Sequence, residues 1–283
     1  MVAFGAACGV CASGCQATSP PPHGLVIALE SDPQSLDPRF GVDAATSRLA
    51  DLMHVALTRT DAHLRRVPEL ARSWSSPDPR TVVFRLRDDF RFTTGEPVRA
   101  GDVRATYEGV LDPVIASPRR GGLQGIAAIE TPDDLTVVIR LRAPDGAFLD
   151  ATGLPILPAP HARDASEVTV GAGPYQLVEA HRGDRIVLSP NPHFPGGPPR
   201  IDPVVLRIVP DAVVRVLELE RGSVGFVQDA LEPELLDRLR ARQTLRVTET
   251  PGSSFAYLAI NLRDRRLRDR RVRRAIAMAI DQG

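Results

Sequence analysis

The chain has 283 residues, of which 43% are hydrophobic and 25% are charged, as in ordinary globular proteins. This composition argues against a disordered or fibrous protein, and the length allows one large domain or two modest ones. Acidic and basic residues number 35 each, so no global charge favours nucleic acid or anionic lipid as a partner.

The first 24 residues differ from the rest of the chain. Residues 2–14 are small, apolar and uncharged, and the cysteines Cys8, Cys11 and Cys15 all lie in this segment. The small residues before Cys15 resemble a bacterial lipoprotein signal, which predicts export with lipidation of Cys15; cleavage of a simple signal is the alternative. A metal or redox pair at Cys8 and Cys11 is disfavoured, because no His or second Cys pair supplies further ligands.

The first half of the remaining chain alternates between strand and helix periodicities. Helices are predicted over 44–58, where apolar residues recur at helical spacing, and over 101–111, with Gly101 and Asp102 as the cap. Strands are predicted over 25–30, over 81–86 and over 135–141, the last of them after a turn at 131–134.

The second half continues this mixture of strands and helices. A hairpin is predicted over 178–189, and helices over 211–220, over 233–242 and, behind Asp269, up to Ile280. Gly222 is placed to end the first of these helices. Further strands are predicted over 204–209, 245–250 and 255–261. Strands and helices without regular alternation predict α/β (mixed α+β) lobes.

Three single residues carry local predictions. Gly95, before Glu96 and Pro97, predicts a tight turn between a strand and a helix. Trp74 is read as a core residue in preference to a ligand platform. Gly173 could allow an unusual backbone angle where the chain returns between lobes, although an ordinary turn at a strand start explains it equally well.

Eight segments, in order, resemble the family 5 extracellular solute-binding proteins for peptides, dipeptides and nickel. The resemblance covers roughly residues 25–283 and lies in residues 32–38, 68–74, 83–92, 94–103, 171–175 (GAGPY), 191–194 (NPHF), 257–261 and 272–281. Only the order of all eight makes the match specific, because each segment alone is short.

The resemblance implies lobes of the class II periplasmic binding protein type, present here incompletely as one lobe and a small inserted domain. The implied divisions are a signal and linker at 1–24, the first part of lobe I at 25–57, the inserted domain at 58–171, the second part of lobe I at 172–268, and the start of lobe II at 269–283. The rest of lobe II, nearly half of the usual protein, has no counterpart in this sequence.

The resemblance also implies a function without covalent chemistry or a cofactor. Such proteins capture oligopeptides or dipeptides outside the cytoplasmic membrane, pair the peptide with both lobes as an added strand, and deliver it to ABC permease subunits. We expect a periplasmic monomer, anchored through Cys15. A protein for nickel or another small solute, and a truncated fragment that does not transport, are the alternatives.

Five residues are candidates for contacting the solute, because the loop after the first strand and the 257–261 segment border the cleft in this family. They are Phe40, Asp43, Ser253, Phe255 and Tyr257, and a structural role is an alternative for each. The family's acidic anchor for the peptide amino terminus lies in lobe II and has no counterpart here. We therefore expect this chain to bind peptides weakly by itself.

Two other classes of function are disfavoured. No nucleophile elbow, zinc-protease motif or phosphate-binding glycine loop occurs, so the sequence does not predict an enzyme. Eight Arg lie between Arg263 and Arg274, but several share a helix with an apolar face, and no aromatic residues interleave with them for stacking on bases. The sequence therefore does not predict nucleic acid as a partner.

Overall fold

The computed structural model describes residues 24–163, 168–228, 231, 233–250 and 258–280. The chain forms two compact units, Met1–Leu245 and Arg246–Gly283. Within the described residues no helix is both long and apolar enough to cross a bilayer. Cys15 and the other cysteines lie outside the described residues, as does the predicted signal segment up to residue 23.

The first unit contains strands and helices in irregular order, as the mixed α/β prediction requires. In chain order they are β1 (Leu25–Leu29), α1 (Ala44–Met53), β2 (Thr58–Thr60), β3 (Arg66–Pro68), β4 (Ala71–Asp78), β5 (Thr81–Leu86), α2 (Ala100–Leu111), β6 (Ile126–Asp133), β7 (Thr136–Leu141), α3 (Phe148–Ala151), β8 (Tyr175–His181), β9 (Arg185–Pro190), β10 (Val204–Ile208), α4 (Ala212–Arg221), β11 (Phe226–Val227) and α5 (Pro233–Arg240). Short 3₁₀ turns occupy Pro118–Leu123 and His161–Arg163.

The first sheet has five strands in the order β11-β1-β10-β9-β8. β1 is parallel to both β10 and β11, whereas β10, β9 and β8 are antiparallel. Its buried residues pack against Leu49 and Met53 of α1, which covers one face of the sheet. The continuous apolar sequence of β1 suits this position because both of its faces are packed: Ile27 and Leu29 lie in the cluster with α1, and Val26 and Ala28 lie in a second cluster.

The second sheet has four antiparallel strands in the order β4-β5-β7-β6. In β5 the side chains of Val82, Phe84 and Leu86 are buried and Arg85 is exposed, which is the alternation expected of a half-buried strand. Trp74 of β4 packs against this core, its ring centroid 6.5 Å from that of Phe84. Trp74 is half-buried, so it covers the edge of this core, which is nearer to the core interpretation than to a fully exposed platform.

The predicted end of one helix, α4, agrees with the structure, and the predicted cap of another helix, α2, does not. α4 begins behind Asp211, whose carboxylate accepts the Val214 N–H, and ends at Gly222 with φ of 75°; the end at Gly222 is as predicted. In α2 the predicted cap at Gly101 and Asp102 is wrong. The cap residue is Arg99, and the Asp102 carboxylate reaches back to the Arg99 N–H at 2.8 Å, as the third residue of a capping box does.

Three predicted boundaries also shift. The turn before β7 is shorter than predicted because β6 continues through Asp133. α1 ends at Met53 rather than at residue 58, and α5 ends at Arg240 rather than at 242. Element ends of this kind are set by tertiary contacts as much as by local pattern.

The predicted strands at 245–250 and 258–261 are wrong, since these described residues form no strand and are mostly exposed. Residues 255–257 of the second prediction lie outside the described residues. A strand needs a partner for its backbone groups, and local alternation alone supplies none. The helix predicted behind Asp269 is confirmed as α6 (Arg270–Ala279), which belongs to the second unit.

A third sheet consists of the antiparallel pair β2-β3, and all three sheets lie in the first compact unit. Backbone hydrogen bonds join segments that lie near the five-stranded and the four-stranded sheets. The Gly173 N–H donates to the Met53 carbonyl at 2.9 Å, and the Thr93 N–H donates to the Gly171 carbonyl at 2.8 Å. The assignment of the two sheets to a lobe I and an inserted domain stays a prediction.

Candidate functional site

The loop that follows β1 is fixed by a buried ion pair. The Arg39 guanidinium lies 2.6 Å from one Asp37 carboxylate oxygen, and its Nε lies 3.1 Å from both. The two side chains are 0% and 2% exposed. Arg39 also donates through Nη1 to the Ala162 carbonyl at 2.8 Å, so the loop is attached to a segment more than a hundred residues away.

Residues of the 117–119 segment satisfy the carbonyls of the same loop. The Ser117 hydroxyl donates to the Arg39 carbonyl at 2.7 Å. The Arg119 guanidinium donates to the carbonyls of Pro38 and Gly41 at 2.8 and 2.9 Å. With its ion pair and its carbonyls satisfied, the loop is a rigid part of the unit rather than a free surface loop.

Two of the predicted contact residues, Phe40 and Asp43, lie in or next to this loop and have structural partners. The Arg39 guanidinium lies over the Phe40 ring, 5.4 Å from its centroid. Asp43 caps α1 by accepting the Thr46 N–H at 2.9 Å. Burial alone would raise the pKa of Asp43, but hydrogen bonds from Thr46 and Gln34 outweigh it and lower the pKa.

The role of Phe40 and Asp43 in binding solute stays a prediction. The other three candidates, Ser253, Phe255 and Tyr257, lie outside the described residues.

A cavity of about 690 Å³ opens beside the C-terminal half of α1. Its other walls come from β2, β3, the 3₁₀ turn at Pro118–Leu123 and the segment after α3. A volume of this size suits a small solute of a few residues. Six charged side chains line it: Asp51, Glu69, Asp150, Arg59, Arg66 and Arg119.

Contacts between distant segments hold the cavity walls in place. Arg66 bonds Asp150 through the side chain at 3.3 Å and through the carbonyl at 2.7 Å. The hydroxyls of Thr58 and Thr152 lie 2.6 Å apart and are buried. Because these contacts join β2 and β3 to the segment around α3, the cavity is a feature of the folded chain and not of a single loop.

Two carboxylates that line the cavity receive little stabilisation of their negative charge from neighbouring groups. Desolvation raises the pKa of Asp51, although Arg119 opposes the change. Desolvation also raises the pKa of Glu69, one oxygen of which accepts the Ala56 N–H at 2.8 Å. The Asp51 side chain faces an open cavity and is exposed to solvent. The surrounding protein nevertheless displaces part of the water around its carboxylate. Burial of this kind favours the protonated acid.

His54, at the end of α1, is a buried polar residue of the cavity wall. It is 3% exposed, and within the described residues neither ring nitrogen has a hydrogen-bond partner. Burial lowers the pKa of His54 to about 4, so the ring is neutral at neutral pH.

The sequence did not indicate Asp51, His54, Glu69 or Arg119 as site residues. The available signal was the pair of polar residues Asp51 and His54, three apart at the end of a helix with an apolar stripe. Glu69 and Arg119 carry no local signal, because only the fold brings them to the same cavity.

The glycines of the GAGPY segment are required by close packing. A Cβ on Gly173 would lie 2.5 Å from the Met53 carbonyl carbon and 2.6 Å from the His54 nitrogen. Gly173 is not among the described glycines with positive φ, so of the two alternatives for this position the unusual backbone angle is wrong. Gly95 does have a positive φ, of 91°, as its turn prediction required.

Asn191 explains why the NPHF segment accompanies GAGPY. Its side chain is fully buried, donates to the Gly173 carbonyl at 2.9 Å and accepts the His193 N–H at 2.9 Å. Its own N–H donates to the Pro174 carbonyl at 2.8 Å. The two segments therefore form one buried junction next to the end of α1.

Comparison with known proteins shows relatives along most of the chain. The family model for bacterial extracellular solute-binding proteins, family 5 Middle, matches residues 65–282. The probable D,D-dipeptide-binding periplasmic protein DdpA of Escherichia coli is 31% identical over 279 residues, with 91% of this chain and 53% of the relative covered. The oligopeptide-binding protein AppA of Bacillus subtilis is 24% identical, with 91% and 50% covered.

Solved structures give the same result for the fold. NikZ from Campylobacter jejuni, in complex with Ni(L-His), matches with a TM-score of 0.85 at 25% identity, covering 92% of this chain and 54% of NikZ. The structure of Bacillus subtilis AppA with a nonapeptide matches with a TM-score of 0.83 at 23% identity, covering 91% and 54%. The expected periplasmic-binding-protein fold is confirmed.

The extent of these matches is also informative. The chain spans about half the length of the curated relatives and of the solved structures that it matches. From the family model, the relatives and the fold together, this chain belongs to the bacterial extracellular solute-binding proteins of family 5.

Proposed function

We propose that this chain is part of the solute-binding component of an ABC import system, which captures dipeptides or oligopeptides outside the cytoplasmic membrane and delivers them to permease subunits. The observation that carries the proposal is the family match over residues 65–282. Relatives named as dipeptide-binding and oligopeptide-binding proteins support peptide as the solute.

The described geometry suits a binding protein that works without covalent chemistry. The loop after β1 is held by the Asp37–Arg39 pair, and the junction of Gly173 with Asn191 fixes the path between the two sheets. A rigid frame of this kind lowers the conformational cost of binding a solute. Phe40 and Asp43, with Ser253, Phe255 and Tyr257, remain our proposed contact residues at the cleft.

A second candidate solute is a nickel chelate with a free amino acid, which the match to NikZ in complex with Ni(L-His) favours. Among the described residues, no group of three or more His, Cys, Asp or Glu side chains could hold a metal ion. In such a complex the chelator itself supplies ligands to the metal.

We further propose that the protein is a monomer in the periplasm or at the outer face of the membrane, attached through lipidated Cys15. The periplasmic relatives support the location. Mass spectrometry of the mature amino terminus in bacteria expressing the parent and Cys15→Ser tests the anchor. A lipid mass on the parent and none on the variant is the expected result, and an unlipidated parent contradicts it.

Titration calorimetry with a library of dipeptides and oligopeptides, and in parallel with Ni(L-His), tests the choice of solute. We expect heat of binding with peptides and none with the chelate. Because the chain spans about half the length of its relatives, the affinity should be weak, and NMR titration at millimolar peptide is the complementary measurement. Binding of the chelate, with no heat of binding from any peptide, would favour the nickel chelate as the solute.

A further inference from the structure

The chain passes between its two main hydrophobic clusters and back through two short segments. In the first segment, Met53 belongs to the cluster of the five-stranded sheet and α1, whereas Val55 belongs to the cluster of the four-stranded sheet. The second segment makes the reverse passage, with Ala172 in the cluster of the four-stranded sheet and Tyr175 in the other. The segments 53–55 and 171–175 are together called the crossing below.

The two segments of the crossing touch through their backbones. The Gly173 N–H donates to the Met53 carbonyl at 2.9 Å. A Cβ on Gly171 would lie 1.9 Å from the same carbonyl oxygen, so no side chain fits between the segments at this point. The contact is therefore close, and it depends on a few backbone groups.

His54 lies in the middle of the first segment, and its ring packs against the second. A Cβ on Gly171 would lie only 2.9 Å from the His54 Nδ1. The residue is 3% exposed, and neither ring nitrogen has a hydrogen-bond partner among the described residues. A titratable side chain without a partner thus occupies the narrowest part of the crossing.

The charged residues around His54 do not stabilise a charge on its ring. Those that line the same cavity wall are Asp51 of α1, Arg59 of β2, Arg66 of β3, Glu69, Arg119 of the 3₁₀ turn and Asp150 of α3. On the other side, the Tyr175 hydroxyl donates to the Ile201 carbonyl, and His193 is exposed. The pKa of His54 is lowered by burial alone, without a contribution from any of these groups.

A protonated His54 would be poorly accommodated in the closed crossing. An imidazolium has two N–H donors, and the described residues offer no acceptor to either. Separation of the two segments would expose the ring to water, which solvates the charge. Local openings of this kind require less free energy than unfolding of the whole domain.

We propose that protonation of His54 opens the contact between the segments 53–55 and 171–175, so that acid loosens the connection between the five-stranded and the four-stranded sheets. The inference assigns a pH-sensitive junction to the fold and does not depend on which solute the protein binds. The pKa of His54 is about 4 in the closed form, against about 6.5 for a ring in water. The open form therefore binds more protons between these values, and it gains population as the pH falls.

Hydrogen–deuterium exchange of the full chain at pH 7 and pH 5, corrected for the intrinsic exchange rate, tests the proposal. The reporters are the amides of His54, Gly173 and Asn191, which donate to Ala50, Met53 and Pro174. We expect their protection to be about 20-fold lower at pH 5 than at pH 7, as the two pKa values require. The amides of β5, β7, β9 and β10 should keep their protection, because these strands lie within the sheets.

Two variants remove the titrating group: His54→Leu, which is apolar, and His54→Gln, which is polar but uncharged. Both should show the same reporter protection at pH 5 and pH 7. His181→Gln is the matched control, because His181 is 55% exposed and lies 3.4 Å from Glu179 in β8, outside the crossing. The control should behave as the parent does, and circular dichroism at pH 7 establishes that each variant is folded.

Three results would overturn the inference. The first is unchanged protection of the reporters in the parent between pH 7 and pH 5. The second is an equal loss in the sheet strands, which would show unfolding of the whole unit. The third is an undiminished loss in a folded His54 variant. If neither His54 variant folds, the parent decides by the difference between its reporters and its sheet strands.

Discussion

The carboxylate of Asp37 and the guanidinium of Arg39, two residues apart, form an ion pair with almost no exposure to solvent. Further hydrogen bonds fix the position of the pair. The Arg39 guanidinium donates to the Ala162 carbonyl, and the Ser117 hydroxyl donates to the Arg39 carbonyl. The loop after β1 thereby becomes the point at which three separate segments are joined.

Asp37→Ala should lower the free energy of unfolding by about 3–5 kcal/mol, because it leaves the Arg39 charge buried without its partner. Urea denaturation of the parent and the variant measures the difference. The control is Glu130→Ala, which breaks the Glu130–Arg140 pair, in which both side chains are about half exposed. That variant should lose far less stability, because solvent screens an exposed pair. Equal losses in the two variants would contradict the prediction.

Gly173→Ala should destabilise the protein by about 3 kcal/mol, since the new methyl group would overlap backbone atoms of Met53 and His54 that cannot move independently. Gly101→Ala is the matched control. It lies in α2 with no heavy atom within 4 Å of the added Cβ, and it should gain about 0.5–1 kcal/mol from helix propensity. Thermal unfolding of both variants against the parent is the measurement, and a Gly173→Ala protein as stable as the parent would show that the junction can open.

His54 predicts a loss of stability on mild acidification. Its pKa is lowered to about 4 in the folded state by burial, against about 6.5 in an unfolded chain. Between these values the unfolded state binds more protons, so stability falls as the pH falls through this window. The full difference corresponds to about 3 kcal/mol.

His54→Leu should therefore remove much of the acid sensitivity between pH 6.5 and pH 4. It should be neutral or stabilising at pH 7, because among the described residues the ring has no hydrogen-bond partner to lose. Urea midpoints at several pH values for the parent and the variant give the comparison. If the variant loses as much stability as the parent on acidification, other groups carry the pH dependence.

Glu69→Gln should stabilise the protein at neutral pH in the absence of solute. Burial raises the pKa of Glu69, so in the interval between its unfolded and its folded pKa the folded state binds more protons than the unfolded state, and stability falls as the pH rises through that interval. The amide is neutral and can still accept the Ala56 N–H. We expect a higher melting temperature at pH 7 and a smaller gain at pH 4. A lower melting temperature at both pH values would mean that the carboxylate is well compensated.

Some elements of this protein follow from local sequence alone. β5 alternates buried and exposed residues, and the structure gives it the same bounds as the sequence. α4 is delimited by a capping Asp211 and by Gly222, each of which satisfies its requirement within the helix itself. Such elements are predictable because their stabilising contacts lie within a few residues.

Other predictions failed because the deciding partner is distant. Residues 245–250 alternate like a strand but form none, since no neighbouring strand accepts their backbone groups in the described chain. For Gly173, one of the two alternatives invoked its own backbone angle, whereas the constraint is the approach of the 53–54 backbone. In α2 the cap was assigned two residues too late, because the Asp102 carboxylate accepts the N–H of Arg99.

The sequence by itself determined the mixed α/β class, most strands and helices, and the family, because periodicity, caps and the order of eight short segments are local or linear properties. The tertiary structure alone decided the cavity and its chemistry. Asp51, Glu69 and Arg119 are 18 to 68 residues apart and meet only after α1, the β2–β3 pair and the 3₁₀ turn have packed together. Burial, which changes the pKa of a carboxylate or a histidine, depends on that packing and has no signature in the linear chain.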